Sequence, residues 1–560
     1  MMRNFGMTLL ALLLSLGAWA QDYTFTNGII FINEDRYGPN QGSINFYNYD
    51  YDEMEYNVYA LVNPTTKLGV TTQQGQLYGG RLFVVSKQAN SNESSGNTVG
   101  SRLAVLDAAT LKQQGSILRL GAQDSVYDGR SYCAVNARKG YMATSAGIFV
   151  VDVEAMTATG PILGTESSAK GDYNSLYSGQ CGDMVRFGQY VFAVQQGRGL
   201  HVIDYNTDQV VKTLSFPNIV TVFVTAGGGL YVANNSREVY DFSGGPFEAD
   251  FTRVDPVALE VMDVYRLGDN YGALSSWGAW RACMMCVDPV AEKVYYYYDE
   301  FQNHISCYDF STREFTDHFI DLPEAAEVNW DGTRNHQGLY ASALSFDPHT
   351  GDMVVMTTEA APMYAYEIFN HNWVLFYDAA TRVLKRQTRL QDAYWFPAMA
   401  LYPDLCAPTV KVEDQVLQVG QTVTVSLLEA VHDDDNMSAL AVTTATSGDE
   451  SVVRAQVSGL NLSLEGMAPG RATVNLVTDS NGQLATTSFV VSVTGAAVPG
   501  DINMDGKVAI DDVTALIDIL LGSVLNIYDM GAADVNHDGK ISIDDVTALI
   551  DSLLSGQMIV

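Results

Sequence analysis

Two stretches near the C-terminus place oxygen-bearing side chains at the spacing a hard cation requires. Asp501-Ile-Asn-Met-Asp-Gly-Lys-Val-Ala-Ile-Asp-Asp512 matches Asp534-Val-Asn-His-Asp-Gly-Lys-Ile-Ser-Ile-Asp-Asp545 almost position for position. Oxygens fall at loop positions 1, 3, 5 and 12, and a glycine stands at position 6, where the backbone must turn sharply. Calcium takes six or more oxygen ligands. One cage is therefore expected from Asp501, Asn503, Asp505, Asp512 and the carbonyl of Lys507. A second is expected from Asp534, Asn536, Asp538, Asp545 and the carbonyl of Lys540. Two calcium ions would fill them. Both loops run into Val-Thr-Ala-Leu-Ile-Asp, from Val513 and from Val546, so a loop-helix unit is duplicated.

Little else in the chain selects a reaction. No Gly-x-Ser-x-Gly, His-Glu-x-x-His or phosphate loop occurs. Carboxylates abound, among them Asp124, Asp128, Asp172, Asp269, Glu324, Glu327 and Asp331, yet no motif pairs two of them. Glycosidase and lyase sites are assembled from scattered loops without a local signature, so a carbohydrate-active hydrolase or lyase stays open as an alternative. Cys283-Met-Met-Cys286 and His304-Ile-Ser-Cys307 have zinc-like spacings. Residues three apart on a strand point to opposite faces, however, which favours buried cysteines or one disulfide over a zinc site.

The elements that hold these residues announce themselves by repetition. Leu103-Ala-Val-Leu-Asp107 alternates apolar residues and ends in an aspartate. The same phrase recurs at Ile148–Asp152, Leu200–Asp204, Glu238–Asp241, Ile305–Asp309 and Val374–Asp378, with a looser copy at Ile44–Asn48. A spacing of roughly 40–70 residues marks a solenoid or propeller. Each copy follows a partner strand, from Gly28–Asn33 to Asp352–Thr357, and another short strand precedes each partner. The last of these, Ala398–Tyr402, has no copy downstream. It is expected to pair with the N-terminal strand and close a ring, giving a seven-bladed β-propeller over residues 22–404.

Residues 408–495 read as a small β-sandwich, with turn signals at Val419-Gly-Gln421, Ala468-Pro-Gly470 and Ser480-Asn-Gly482 and one strand expected at Ala439–Thr443. Its acidic loop, Val431-His-Asp-Asp-Asp-Asn436, reads first as a solvated loop and second as a calcium site. The fold class is mainly β, ending in a small α-helical segment over 499–556. At the other end, Arg3, the apolar run Leu9–Leu16 and Ala18-Trp19-Ala20 form a signal peptide over residues 1–20, so a secreted or cell-envelope protein is expected. That run is too short to span a bilayer, and no later stretch is apolar enough to do so. A formal charge of −34 disfavours a nucleic-acid partner, since little basic surface remains to neutralise phosphates. Six cysteines in 560 residues are too few for a disulfide-stapled scaffold.

The duplicated loop-helix unit, with Asp at position 12 in place of Glu and no helix before the first loop, resembles a type I dockerin from Gly500 to about Ser555. The resemblance implies a calcium-folded module that binds a cohesin module on another protein. Recognition positions then fall on Ile510, Asp511, Val513 and Thr514 and on Ile543, Asp544, Val546 and Thr547. Many such dockerins carry a Ser-Thr pair where this chain has Ile510-Asp511 and Ile543-Asp544, which leaves the partner class open. Near-identity of the two helices implies a face able to dock in either of two orientations. The sandwich is similar to Ig-like or cadherin-like modules of bacterial surface proteins, carrying "Val-Gly-Gln-Thr" and "Ala-Pro-Gly-Arg-Ala-Thr-Val" turns, and is expected to act as a spacer. The stretch from Gly28 to Tyr47 is similar to the opening of a seven-bladed family of secreted and surface proteins from gut anaerobes. Some relatives of that family capture corrinoids at the outer membrane.

Aromatic residues suggest which propeller face meets a ligand. Loops joining one blade's outer strand to the next blade's inner strand share a face with loops between second and third strands. Trp277, Trp280, Trp330 and Trp395 fall in the first kind, and Trp373 ends one of the second. Tyr37, Tyr127 and Tyr271 lie in or beside the same loops, with Arg36, Arg281, Arg334 and His336 as polar neighbours. Flat rings suit a glycan or small-molecule ligand. The competing expectation is that these loops pack their own aromatics over the channel mouth.

Overall fold

The computed structural model describes residues 23–35, 40–88, 100–120, 128–167, 179–235, 248–298 apart from 270–284, 302–328, 334–360, 370–495, 498–522 and 528–556, with backbone alone at 269, 325–328, 334, 335 and 360. The described chain forms two compact units, one ending at Cys406 and joined by segments 434–440 and 481–483, the other built from the remainder.

The first unit is a succession of antiparallel four-stranded sheets. Five stand alone: those beginning at Val70–Tyr78, Gly129–Asn136, Cys181–Phe187, Ile219–Val224 and Met285–Val287. Two further groups of four are linked into one larger sheet. One runs from Arg334–Phe346 through Met353–Ala360 and Asn372–Asp378 to Val383–Arg389, with Glu324–Val328 added at its start. The other is Pro397–Leu401, Gly28–Asn33, Ser43–Asn48 and Glu53–Glu55. Here the chain's late strand meets its early one, with Phe31 opposite Ala400 and Ile30 opposite Leu401, antiparallel. The arrangement is propeller-like. Buried side chains fill the spaces between sheets: Phe31, Tyr47, Phe376 and Leu375 belong to one continuous core.

One local device repeats in every group. The aspartate ending the third strand turns its carboxylate back onto following amides. Asp107 accepts from Ala109 N and Thr110 N, Asp152 from Glu154 N and Ala155 N, and Asp309 from Ser311 N and Thr312 N. Such Asx turns let a short polar side chain stand in for a backbone partner. Four residues on, the chain passes through the left-handed region: φ is 54° at Leu111, 52° at Met156, 56° at Asp208, 60° at Arg313 and 61° at Arg382. Asn48 and Asp52 (φ 53°) make the looser copy.

This geometry corrects one expected repeat. Glu238–Asp241 lies outside the described residues, and the third strand of its sheet is Glu248–Asp255. Asp255 accepts from Val257 N and Ala258 N, and Leu259 follows at φ 57°. Ala249 and Phe251 share a buried face of this strand and fix its register. The short strands that precede two of the partners are Val70–Tyr78 and Met285–Val287, and Cys283 lies outside the described residues. The expected signal peptide, residues 1–20, lies outside them as well.

In the second unit, a small β region has two sheets facing one core. Gln415–Gln418, Gln483–Thr494, Gly470–Ser480 and Val442–Ser447 form one sheet, and Thr422–Ser426, Asn461–Gly466 and Val453–Ser458 the other. Leu417, Val474, Leu476, Phe489 and Val491 meet Leu462, Leu464 and Val453 between them. The strand expected at Ala439–Thr443 is instead a 3₁₀ turn, Ser438–Leu440, followed by Val442–Ser447. Only from Val442 does the alternation face a partner strand, Gly470–Ser480. The acidic loop is solvated only in part: His432 and Asp434 are exposed, Asp433 is buried, and Asp435, which belongs to the first unit, is buried and accepts the amides of Leu405 and Cys406.

The C-terminal segment holds helix α1 (Ile510–Leu520), a short turn of helix at Met530–Ala533, and helix α2 (Ile543–Ser555). Ile502, Val513, Leu516, Ala533, Val546 and Leu549 close a small shared core. Among the described residues no helix is long and apolar enough to cross a membrane.

Candidate calcium centres and the described ligand face

Each calcium loop is drawn inward by its own carboxylates. Asp501 accepts the amides of Asp505 and Gly506 at 3.1 and 2.9 Å, and Asp534 accepts those of Asp538 and Gly539 at 3.0 and 2.9 Å. Asn503 and Asn536 each accept an amide at 2.9 Å, from Asp505 and Asp538. Asp505 and Asp538 hold the amides of Lys507 and Lys540, both at 2.9 Å. The turn demanded at position 6 is present, with Gly506 and Gly539 at φ 85° and 83°, where a Cβ is strained. Met504 and His537 reach the left-handed region just before them.

Position 12 works twice. Asp512 accepts Ile502 N and Asn503 N with one oxygen and Ala509 N with the other, which caps α1. Asp545 accepts Asn536 N and Ser542 N and caps α2 in the same way. Both carboxylates are fully buried. Burial pushes the carboxyls of Asp501 and Asp512 above their usual range, and neighbouring acidic groups add to it. A divalent cation offsets that desolvation and repulsion directly. The donor set is all oxygen and already convergent, so the residues present fit calcium.

The recognition positions divide by burial. Ile510, Asp511, Thr514, Ile543, Asp544 and Thr547 are exposed. Val513 and Val546 are 5% exposed and belong to the core between the helices, so they are corrected from partner-facing to interior residues. An exposed stripe runs on from two expected recognition positions, Ile510 and Ile543, to residues that sequence reasoning did not single out. Ile510, Ile517 and Leu521 on α1 correspond in order to Ile543, Ile550 and Leu554 on α2, and all six are exposed. Leu521 and Leu554 reach 78% and 82%. Their seven- and eleven-residue spacings put each set on one helix face.

Of the expected ligand face, Arg36, Tyr37, Tyr127, Tyr271, Trp277, Trp280, Arg281 and Trp330 lie outside the described residues, as does the side chain of Arg334. His336 belongs to strand Arg334–Phe346 rather than to a loop, and it is half-buried. The two described tryptophans are packing residues. Trp395 is 8% exposed, stacks on Tyr56 at 5.4 Å and donates Nε1–H to the Gln391 carbonyl. Trp373 lies within strand Asn372–Asp378 and donates Nε1–H to Glu359, whose other oxygen meets His371 Nδ1 at 3.1 Å. For these two, loop packing won over exposure.

Just after strand Gly28–Asn33 stands a carboxyl pair that no motif marked. Glu34 accepts from Tyr340 Oη at 2.9 Å and from Gln73 Nε2 at 2.5 Å. Asp35 accepts from Ser43 Oγ at 2.6 Å. Backbone bonds from Glu34 N and Asp35 N to Phe396 O and Trp395 O fasten the pair to the ring-closing strand region. Burial first, and the Glu34 charge second, push the Asp35 carboxyl up to about 8.

A sheet region closed through its terminal strands and a duplicated calcium-loop module together define a modular dockerin-bearing protein with a propeller-like body. The chain belongs to the family described as "Domain of unknown function (DUF5074)", whose model matches residues 27–403, and a type I dockerin domain matches residues 499–554. Type I dockerins typically bind calcium, imply a cohesin partner and suggest an extracellular or cellulosome location. No curated protein matches the chain. Among solved structures, it is similar to a quinonprotein alcohol dehydrogenase-like protein from Bacteroides thetaiotaomicron, with 13% identity, a TM-score of 0.47 and coverage of 68% of this chain and 79% of that one. It is also similar to the β-propeller domain of Cps50 from Myceliophteria thermophila, with 12% identity, a TM-score of 0.37 and coverage of 59% and 95%.

Proposed function

We propose that the chain is an exported, non-catalytic binding protein fastened to a cohesin-bearing partner by a calcium-dependent dockerin. In this reading a seven-bladed propeller over residues 22–404 takes a glycan or small molecule, an Ig-like sandwich over 408–495 spaces it, and the dockerin over 499–556 docks. Two ions fill the cages of Asp501, Asn503, Asp505, Lys507 and Asp512 and of Asp534, Asn536, Asp538, Lys540 and Asp545. The observation that carries the reading is the matched pair of loops, each with its oxygens convergent and its position-12 carboxylate buried as a helix cap. The duplicated exposed stripe on α1 and α2 supports a partner face usable in either orientation. Apolar side chains left out in this regular pattern mark an interaction surface. Full-length protein passed over immobilised type I cohesins should be retained in calcium and released by chelator. Retention that survives chelation, or none on any type I cohesin with calcium present, would overturn the tether.

One observation favours the alternative, a polysaccharide-degrading hydrolase or lyase. A carboxyl such as Asp35, protonated near neutral pH, is what a general acid requires. Turnover of a plant or host glycan that is abolished in Asp35→Asn would establish the enzyme reading over the binding one.

A further inference from the structure

We propose that His304, Asp317 and His318 form a binding site for a first-row divalent transition cation, with Zn²⁺ as the fitting ion, on the sheet of Met285–Val287, Lys293–Tyr296, His304–Asp309 and Glu314–Asp321. Their ligand atoms all lie within 4.8 Å of one another. His304 Nε2 stands 3.2 Å from an Asp317 oxygen, and the two imidazole rings stack with centroids 3.8 Å apart. Around a tetrahedral zinc, with bonds near 2.0–2.1 Å, ligand atoms stand about 3.4 Å apart. With atoms up to 4.8 Å apart, closing the set needs a shift of up to about 1.4 Å. His318 can supply it by turning off the stack, since its side chain is 57% exposed and its partner Asp321, 74% exposed, can follow.

The strand pairing explains how neighbours in sequence reach one ion. Residues 317 and 318 would point to opposite faces of a regular strand. Between Ile305 and Cys307, however, the register slips: Ile305 faces Ile320, whereas Cys307 faces Thr316. Extra residues opposite Ser306 form a bulge, and bulges re-aim side chains. Asp317 thereby turns toward His304 and Ser306.

The surrounding bonds leave the right atoms open. His318 Nδ1 meets Asp321 at 2.6 Å, which leaves the lone pair on its Nε2, and His304 Nδ1 meets Asn303 at 3.1 Å while its Nε2 meets Asp317 at 3.2 Å. A carboxylate behind a ligating imidazole is the usual outer partner of a metal-bound histidine. Tyr298 Oη and Ser306 Oγ both donate to Asp317 Oδ1, the oxygen that also stands 3.2 Å from His304 Nε2, so the carboxylate is fixed beside the imidazole. Without a cation, an imidazole lone pair faces a carboxylate oxygen across 3.2 Å, and protonating both stacked rings sets two charges face to face. A metal ion relieves both conflicts at once. Two nitrogens and one oxygen select zinc-like ions over calcium and leave a fourth position for water. The cysteines first suspected play no part: Cys286 and Cys307 are free, each facing Tyr295 across its own strand pair.

The test uses full-length protein carrying Cys406→Ser, which removes the exposed thiol, in saturating calcium so that the dockerin loops are filled. Calorimetric titration with ZnCl₂ should show one Zn²⁺ per chain, and Co²⁺ should give a visible d–d band. His318→Ala, at a half-exposed position that the fold tolerates, should abolish the Co²⁺ band and weaken Zn²⁺ at least about tenfold, and Asp321→Asn should weaken it by about tenfold. Zn²⁺ should raise the melting temperature of the parent and leave that of His318→Ala unmoved. No Zn²⁺ binding, or binding that His318→Ala leaves unchanged, overturns the site.

Discussion

At the scale of single residues, carboxylates do three different jobs, and burial decides which. Asp512 is wholly enclosed, spans three backbone amides and faces a loop built for a cation. Asp512→Asn should therefore weaken calcium binding more than tenfold and cost about 1–3 kcal/mol of stability, read by calcium titration and urea unfolding of full-length protein. Asp35 is half-buried, with the Glu34 charge beside it. Its carboxyl holds its proton up to about pH 8, whereas an unfolded aspartate ionises near 4. Between those values the folded state binds more protons, so stability from this group is full below pH 4 and is lost as pH rises toward 8. Asp35→Asn should flatten that slope and melt higher than the parent at pH 8, by melting scans across the range. Asp107 and its repeats are half-exposed and simply close turns.

At the scale of elements, spacing in the sequence was informative wherever one face of a strand or helix is buried. The alternating Leu103–Asp107 phrase became a third strand, and its relatives at Asp152, Asp204, Asp309 and Asp378 followed. The phrase at Glu238–Asp241 misled because a short apolar alternation is a weaker signal than the turn that ends it. Asp255 with a left-handed residue four places on is the better mark. Asp255→Ala should cost about 1 kcal/mol through its two lost amide bonds, by urea unfolding. The duplicated loops were legible as a motif, since metal geometry fixes spacing within one short segment, and the type I dockerin match over residues 499–554 agrees with that reading. The His304, Asp317 and His318 cluster was not, because it depends on a bulge that no local pattern announces. On α1 and α2, periodicity could not tell a core stripe from a docking stripe. Leu521→Glu or Leu554→Glu alone should leave cohesin capture largely intact, while the double variant should abolish it, measured as retention on immobilised cohesin.

At the scale of the molecule, two closures matter. The first joins Pro397–Leu401 to Gly28–Asn33, so that residues more than three hundred positions apart share a sheet. Ala400 is buried there, and Ala400→Asp sets an unpaired charge in the seam. It should cost about 3 kcal/mol or more in urea unfolding. The ligand face remained hard to read because its residues are contributed by loops far apart in sequence, and the tryptophans visible there, Trp373 and Trp395, pack inward. The second is the proposed closure by calcium. Calorimetric titration of calcium into metal-free, full-length protein tests it most directly. Two ions should bind per chain, helix content and melting temperature should rise together, and Asp505→Ala or Asp538→Ala should each remove one ion. A chain that takes up no calcium, or whose uptake is indifferent to both substitutions, would contradict the calcium-held tether.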